Sequence, residues 1–210
     1  QKPRAAKKLY FDVIPRAVDD YLSHLEAYDP ADEKRMENPV WHIHNGNPPK
    51  PGTKLSFSML LNLASVCNTE DPAVLWGFIS RYAPEASPES DPFLDRLVGF
   101  ALRYYADFVK PTKNYRAPDD KERAALEDLA ARLRKLPKDA DGETIQNEVY
   151  AVGKEHGFEN LRDWFKALYE TLLGQEQGPR MGSFMALYGL EESLALIDSV
   201  LAGESLKASS

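Results

Sequence analysis

Cationic, amide and aromatic side chains meet in one short segment, Lys110-Pro111-Thr112-Lys113-Asn114-Tyr115-Arg116. Ammonium and guanidinium groups neutralise phosphates, a tyrosine ring stacks on an exposed base, and an asparagine amide bonds a base edge. That is the chemistry of holding a single-stranded RNA loop, and the same composition also suits a solvated loop between helices. Arg180, within Gly178-Pro179-Arg180-Met181-Gly182, offers a second cation at a corner where a turn introduces a helix. This glycine pair lacks the Lys and Ser/Thr of a phosphate-cradling loop, so nucleotide binding there is not expected. At the amino-terminal end Lys2, Arg4, Lys7, Lys8 and Arg16 face Asp12 alone, a charge pattern suited to a nucleic-acid backbone, which positions rather than specifies. Arg81-Tyr82 and Trp164 are weaker candidates, because such aromatics more often close a core.

Other reactive residue types do not assemble. His42-Ile43-His44 would put two imidazoles on one side of a strand, the start of a metal site if His24, Asp32 or Glu33 converged on it. Two histidines do not complete such a site, and hydrogen-bonded structural histidines are the simpler expectation. Cys67 stands alone beside residues that read as a helix end, so a semi-buried thiol is expected. Glu191-Glu192 and Asp119-Asp120 are adjacent, and neighbours on a helix do not face one another, so they read as helix-start charges. No catalytic residue and no metal ligand is assigned.

The 210 residues carry a formal charge of −7, which excludes a protein that coats nucleic acid indiscriminately. The charge is segregated, with acids gathered in Asp29 to Glu37 and Pro84 to Asp95, and this permits a restricted RNA-facing surface. An apolar content of 43% supports a real core, and no apolar run approaches the roughly 18 residues of a membrane span. A single cysteine forms no internal disulfide and fits a reducing, cytoplasmic compartment. The start at Gln1-Lys2-Pro3, with neither Met nor an apolar leader, is expected of a piece of a longer chain.

Positioning elements follow from punctuation. Val18, Tyr21, Leu22 and Leu25 predict a helix over Arg16 to Ala27, and Val40 to His44 alternates as a short strand inside a proline-rich stretch. From Ser56 onward helical spacing predominates. Asp71-Pro72 and Asp91-Pro92 each set an N-cap before a first-turn proline. The second of these precedes a helix running to Val109, and Pro118-Asp119-Asp120 opens another. Glycines 157, 174 and 203 close helices over Glu143 to His156, Asn160 to Leu173 and Glu191 to Leu201. The expected fold is mainly α, a multi-helix bundle over 56–203 preceded by a small mixed connector module over 1–55, with a flexible tail over 204–210.

Three segments in order carry a resemblance: Lys2 to Pro15, Lys54-Leu55-Ser56-Phe57-Ser58-Met59-Leu60-Leu61-Asn62-Leu63, and Gly178 to Gly189 with its sequence GPRMGSFMALYG. Together they resemble the C-terminal portion of class I lysyl-tRNA synthetases. The glycine-proline turn is also similar to glutamyl-tRNA synthetases. The resemblance implies a stem-contact region over 1–55 and an α-helix cage over 56–203 that receives the tRNA anticodon. It implies tRNA, lysine tRNA in the first instance, as partner, together with an upstream catalytic domain of the same polypeptide, and neither DNA nor a membrane. ATP with Mg would serve the parent ligase, whose two nucleotide-binding signatures are absent here, so no cofactor and no lysine activation are expected of this segment alone.

No motif transfers the family's anticodon contacts. Lys110, Lys113, Asn114, Tyr115, Arg116 and Arg180 are nominated for the anticodon on physical suitability, and Lys2, Arg4, Lys7 and Lys8 for the tRNA backbone. Two competing readings are a helical protein-interaction domain with acidic faces and a metal-dependent hydrolase built on His42 and His44.

Overall fold

The structure, a computed structural model, describes residues 10–203, so Lys2, Arg4, Lys7, Lys8 and the tail from Glu204 lie outside the described residues. The chain divides into two compact units, 1–58 and 59–210.

In the first unit, helix α1 (Ile14–Glu26) starts with Pro15 in its first turn, where the missing amide donor costs nothing. The expected strand at Val40 to His44 is instead helix α2 (Pro39–Ile43). Asn38 accepts a hydrogen bond from the Val40 amide at 3.0 Å and Pro39 occupies the first turn, so a complete helix-start signal outweighs five alternating residues. The connector is therefore helical, with no strand among the described residues. On a helix, positions two apart point about 200° away from each other, which separates the two imidazoles. His42 Nε2 lies 2.7 Å from the Met36 carbonyl and His44 Nε2 lies 2.9 Å from the Tyr21 hydroxyl. Among the described residues no group of three His, Cys, Asp or Glu is placed to hold a metal, which removes the support for a hydrolase built on this pair.

Helix α3 (Phe57–Cys67) begins at the division. The second unit continues with α4 (Pro72–Tyr82), α5 (Pro92–Tyr104), α6 (Asp120–Leu133), α7 (Gly142–Glu155), α8 (Leu161–Leu168), α9 (Met181–Tyr188) and α10 (Leu190–Leu201). Local chemistry starts these helices as expected. Asp71 and Asp91 cap α4 and α5, and Asp119 forms a reciprocal capping box with Glu122. Two ends differ from the sequence expectation, because α5 and α8 each run into a π turn, Tyr105–Val109 and Tyr169–Leu173. In the second, the Thr171 hydroxyl donates to the Ala167 carbonyl at 2.7 Å, competing with the helical ladder. In the first, the widened turn keeps Tyr105 fully buried, its hydroxyl donating to Asn68 Oδ1 at 2.6 Å.

The core gathers Leu126, Leu129 and Leu133 of α6, Ile145, Val149 and Val152 of α7, and Trp164, Phe184 and Ile197. Trp164 is fully buried and donates its indole N–H to the Val149 carbonyl at 2.9 Å, so it fills the core and is not a base-stacking platform. The tightest crossing joins α7 and α9. A Cβ on Gly182 would sit 2.1 Å from the Gly142 carbonyl oxygen, and one on Gly142 would sit 2.9 Å from Ser183 Cα. The Gly182 amide donates to the buried Gln146 Oε1 at 2.8 Å across the same contact. The glycine-rich motif thus serves close helix packing.

Gly182→Ala sets a methyl group against backbone and forces α7 and α9 apart. The expected cost is about 3 kcal/mol, the upper end for overpacking, read as a lower denaturant midpoint at unchanged slope. An unaltered midpoint would mean that the crossing relaxes freely.

Candidate functional site

The basic loop that follows the first π turn is held from several sides. Lys110 Nζ donates to Glu70 Oε1 at 2.8 Å on the surface. Lys113 Nζ donates to the Ser65 carbonyl at 2.8 Å and sits 5.1 Å from the centre of the Tyr115 ring and 5.9 Å from that of Tyr105. Burial lowers the Lys113 pKa to about 8, so the amine remains protonated at neutral pH. The Asn114 backbone N–H donates to the Gly174 carbonyl at 2.9 Å, while the residue itself is exposed. Gly174 adopts φ +67°, and a Cβ there would lie 3.0 Å from the Tyr115 ring, so this helix end needs glycine both for its backbone and for the ring beside it. Burial pushes the Tyr115 hydroxyl up to about 12.

Arg116 is the most committed member. Its guanidinium donates to both oxygens of Glu122, at 2.6 and 2.8 Å, and through Nε to Glu170 Oε2 at 2.6 Å. Glu122 is buried and also accepts the Asp119 amide at 2.9 Å, so one carboxylate closes the start of α6 and receives the loop. These hydrogen bonds, that to Glu122 first, raise the Arg116 pKa above its already high ordinary value. The hydrogen bond from Arg116 holds the Glu170 carboxyl below its usual range.

Arg180 is exposed at the N-cap of α9, on a turn fastened by the Tyr169 hydroxyl donating to the Pro179 carbonyl at 2.9 Å. Near the other end of α9 lies an open cleft of about 620 Å³ lined by Arg81, Tyr82, Lys138, Gly142 and Glu191 among others. Arg81 pairs with Glu192 at 2.6 Å and Lys138 with Glu191 at 2.5 Å, so the cations of this cleft are already neutralised by α10. Cys67 ends α3, and burial pushes its thiol up to about 11, a structural group rather than a nucleophile.

The arrangement is a helical scaffold with a basic loop, and among the described residues no acid-base cluster is assembled. Residues 82–201 match the family described as "Anticodon binding domain". The chain belongs to this family. It is 56% identical over 98% of its length to the lysine–tRNA ligase of Roseobacter denitrificans, and 51% and 48% identical over 96% to those of Rickettsia bellii and Rickettsia felis. It spans 39% of the length of each of these relatives. They are named for lysine, which leaves the glutamyl alternative without support.

Within this anticodon-binding domain, Lys113, Asn114, Tyr115 and Arg116 share one loop with Lys110, and Arg180 stands on a separate turn. Sequence reasoning passed over the outer side of α5, where Phe100 is 54% exposed beside the exposed Arg96 and Arg103. The available signal was aromatic residues on the side of the helix opposite its leucines.

Replacing Arg116 by Ala strands two carboxylates, one of them buried. Its partial exposure sets the expected loss at about 2 kcal/mol, below that of a fully buried pair. Because Glu170 titrates below its ordinary value, its pairing stabilises the fold fully above the usual Glu pKa of about 4.3 and is lost as pH falls through and below it. Denaturant midpoints of Arg116→Ala should therefore lie well below wild type at pH 7, with the gap narrowing towards pH 3 by the share that Glu170 carries. A constant gap across that range would contradict the assignment.

Proposed function

We propose that the chain is the tRNA-recognition part of a class I lysine–tRNA ligase, whose upstream catalytic domain attaches lysine using ATP with Mg. The observation that carries this reading is the match to anticodon-binding domains over 82–201, coupled with 56% identity to a lysine–tRNA ligase along nearly the whole chain. The helical build supports class I, since the resemblance to that class implies an α-helix cage. Residues 1–55 contact the inner stem, with Lys2, Arg4, Lys7 and Lys8 on the sugar-phosphate backbone, and residues 56–203 receive the anticodon. Lys110, Asn114 and Arg180 approach the RNA from solvent, while Lys113, Tyr115 and Arg116 shape the loop and touch RNA through their exposed edges. The parent enzyme works in the cytoplasm, and this segment contributes recognition rather than catalysis.

Titration of the chain with lysine tRNA and with the same tRNA carrying a substituted anticodon, at several salt concentrations, separates base reading from phosphate attraction. The native anticodon should be preferred by about tenfold, the worth of a hydrogen bond to a base edge that the substitution removes. Equal and steeply salt-dependent affinities would overturn anticodon reading, and no binding at low salt would overturn tRNA recognition by this segment.

A further inference from the structure

Helix α5 carries large hydrophobic side chains on both sides, in two different ways. Leu94, Leu97, Val98, Ala101 and Leu102 are buried, as an amphipathic helix requires. On the opposite side, Phe93, Arg96, Phe100, Arg103 and Tyr104 follow at helical spacing, and the π turn carries the line on to Phe108. Phe100 is 54% and Phe108 41% exposed, and both arginines are exposed. The stripe contains no aliphatic side chain. The Arg96 guanidinium lies 5.8 Å from the Phe93 ring centre, and the Tyr104 and Phe108 rings are 4.9 Å apart.

The arginines of this side are free of the ion pairs that hold several others. Arg81, Arg116, Arg132 and Arg134 are each held by carboxylates. Among the described residues, Arg96 and Arg103 have no carboxylate partner, although the chain carries more acids than bases. Asp107 is the exposed acid nearest in sequence, and Asp95 is occupied by the Trp76 indole N–H at 2.9 Å. Rings alternating with unpaired guanidinium groups fit a ligand that alternates flat bases with negative phosphates, about one of each per repeat. Helix α5 also lies entirely within the residues that match the anticodon-binding family.

We propose that the outer side of α5, centred on Arg96, Phe100 and Arg103 and extended by Tyr104 and Phe108, is the surface on which unpaired nucleotides of the tRNA loop stack. The assignment rests on the tRNA-recognition reading and names the residues that carry it out. Phe100 supplies the stacking platform, and Arg96 and Arg103 neutralise the flanking phosphates.

The test compares the 210-residue chain with Phe100→Ala, Phe100→Trp, Arg96→Ala/Arg103→Ala and the control Arg162→Ala, an exposed arginine of α8. Each is titrated with lysine tRNA across a salt series, with circular dichroism melts to verify folding. Phe100→Ala should bind about tenfold more weakly and Phe100→Trp should retain affinity, because stacking needs a ring and not a particular one. The double arginine variant should flatten the plot of log affinity against log salt by roughly 1.4, two single-strand phosphate contacts, and Arg162→Ala should leave it unchanged. Wild-type binding that prefers the native anticodon, with all variants equal to it, would overturn the α5 assignment and leave the tRNA reading standing. Failure of the wild type to bind would remove both. A wild-type dimer that Phe100→Ala converts to monomer with tRNA affinity intact would assign the stripe to self-association and overturn the RNA proposal.

Discussion

Two helix backbones touch at Gly142 and Gly182, and most of the second unit is arranged around that contact. No side chain fits between them, so α7 and α9 approach until the Gly182 amide reaches Oε1 of the buried Gln146 side chain. From α9 the order spreads outward through rings. Phe184 stacks on Tyr188 at 5.7 Å, Tyr188 on Phe78 of α4 at 5.3 Å, and Arg81 covers Phe78 at 4.8 Å. The turn before α9 carries Arg180, so one surface candidate is positioned by the same packing. A motif that reads as a turn introducing a helix is also the place where two helices need to be thin.

Cationic side chains in this acidic molecule divide into two groups with different work. Arg116, Arg132 and Arg134 are fixed between carboxylates, and Lys113 is held by a carbonyl and two rings. A guanidinium already bridging Glu122 and Glu170 gains little from a phosphate, because it would have to leave two buried or half-buried acids unpaired. Arg96, Arg103 and Arg180 carry no such debt. In the proposed recognition of tRNA, a chain of charge −7 would rely on where its unpaired cations sit, not on how many there are.

Much of the architecture was legible because its causes are local. Asp71-Pro72, Asp91-Pro92 and Asp119 with Glu122 announce helix starts within four residues, and glycines 157, 174 and 203 announce ends with positive φ. Val40 to His44 was misread because five alternating residues weigh less than the Asn38-Pro39 start in front of them. The composition of the basic loop was equally plain, yet its wiring was not. Glu170 lies 54 residues from Arg116, and only the folded chain brings it within 2.6 Å. The outer side of α5 left one signal in the sequence, aromatic residues opposite its leucines, and its exposure was hidden for a related reason. Phenylalanine and tyrosine are core residues by type, and their exposure is a property of packing rather than of sequence.

Footprinting of lysine tRNA by hydroxyl radicals, with and without the chain, tests most directly the claim that this helical unit meets the anticodon. Protection of the anticodon loop together with the adjoining stem backbone is expected. Protection confined to the acceptor end, or a pattern unchanged by saturating protein, would contradict it.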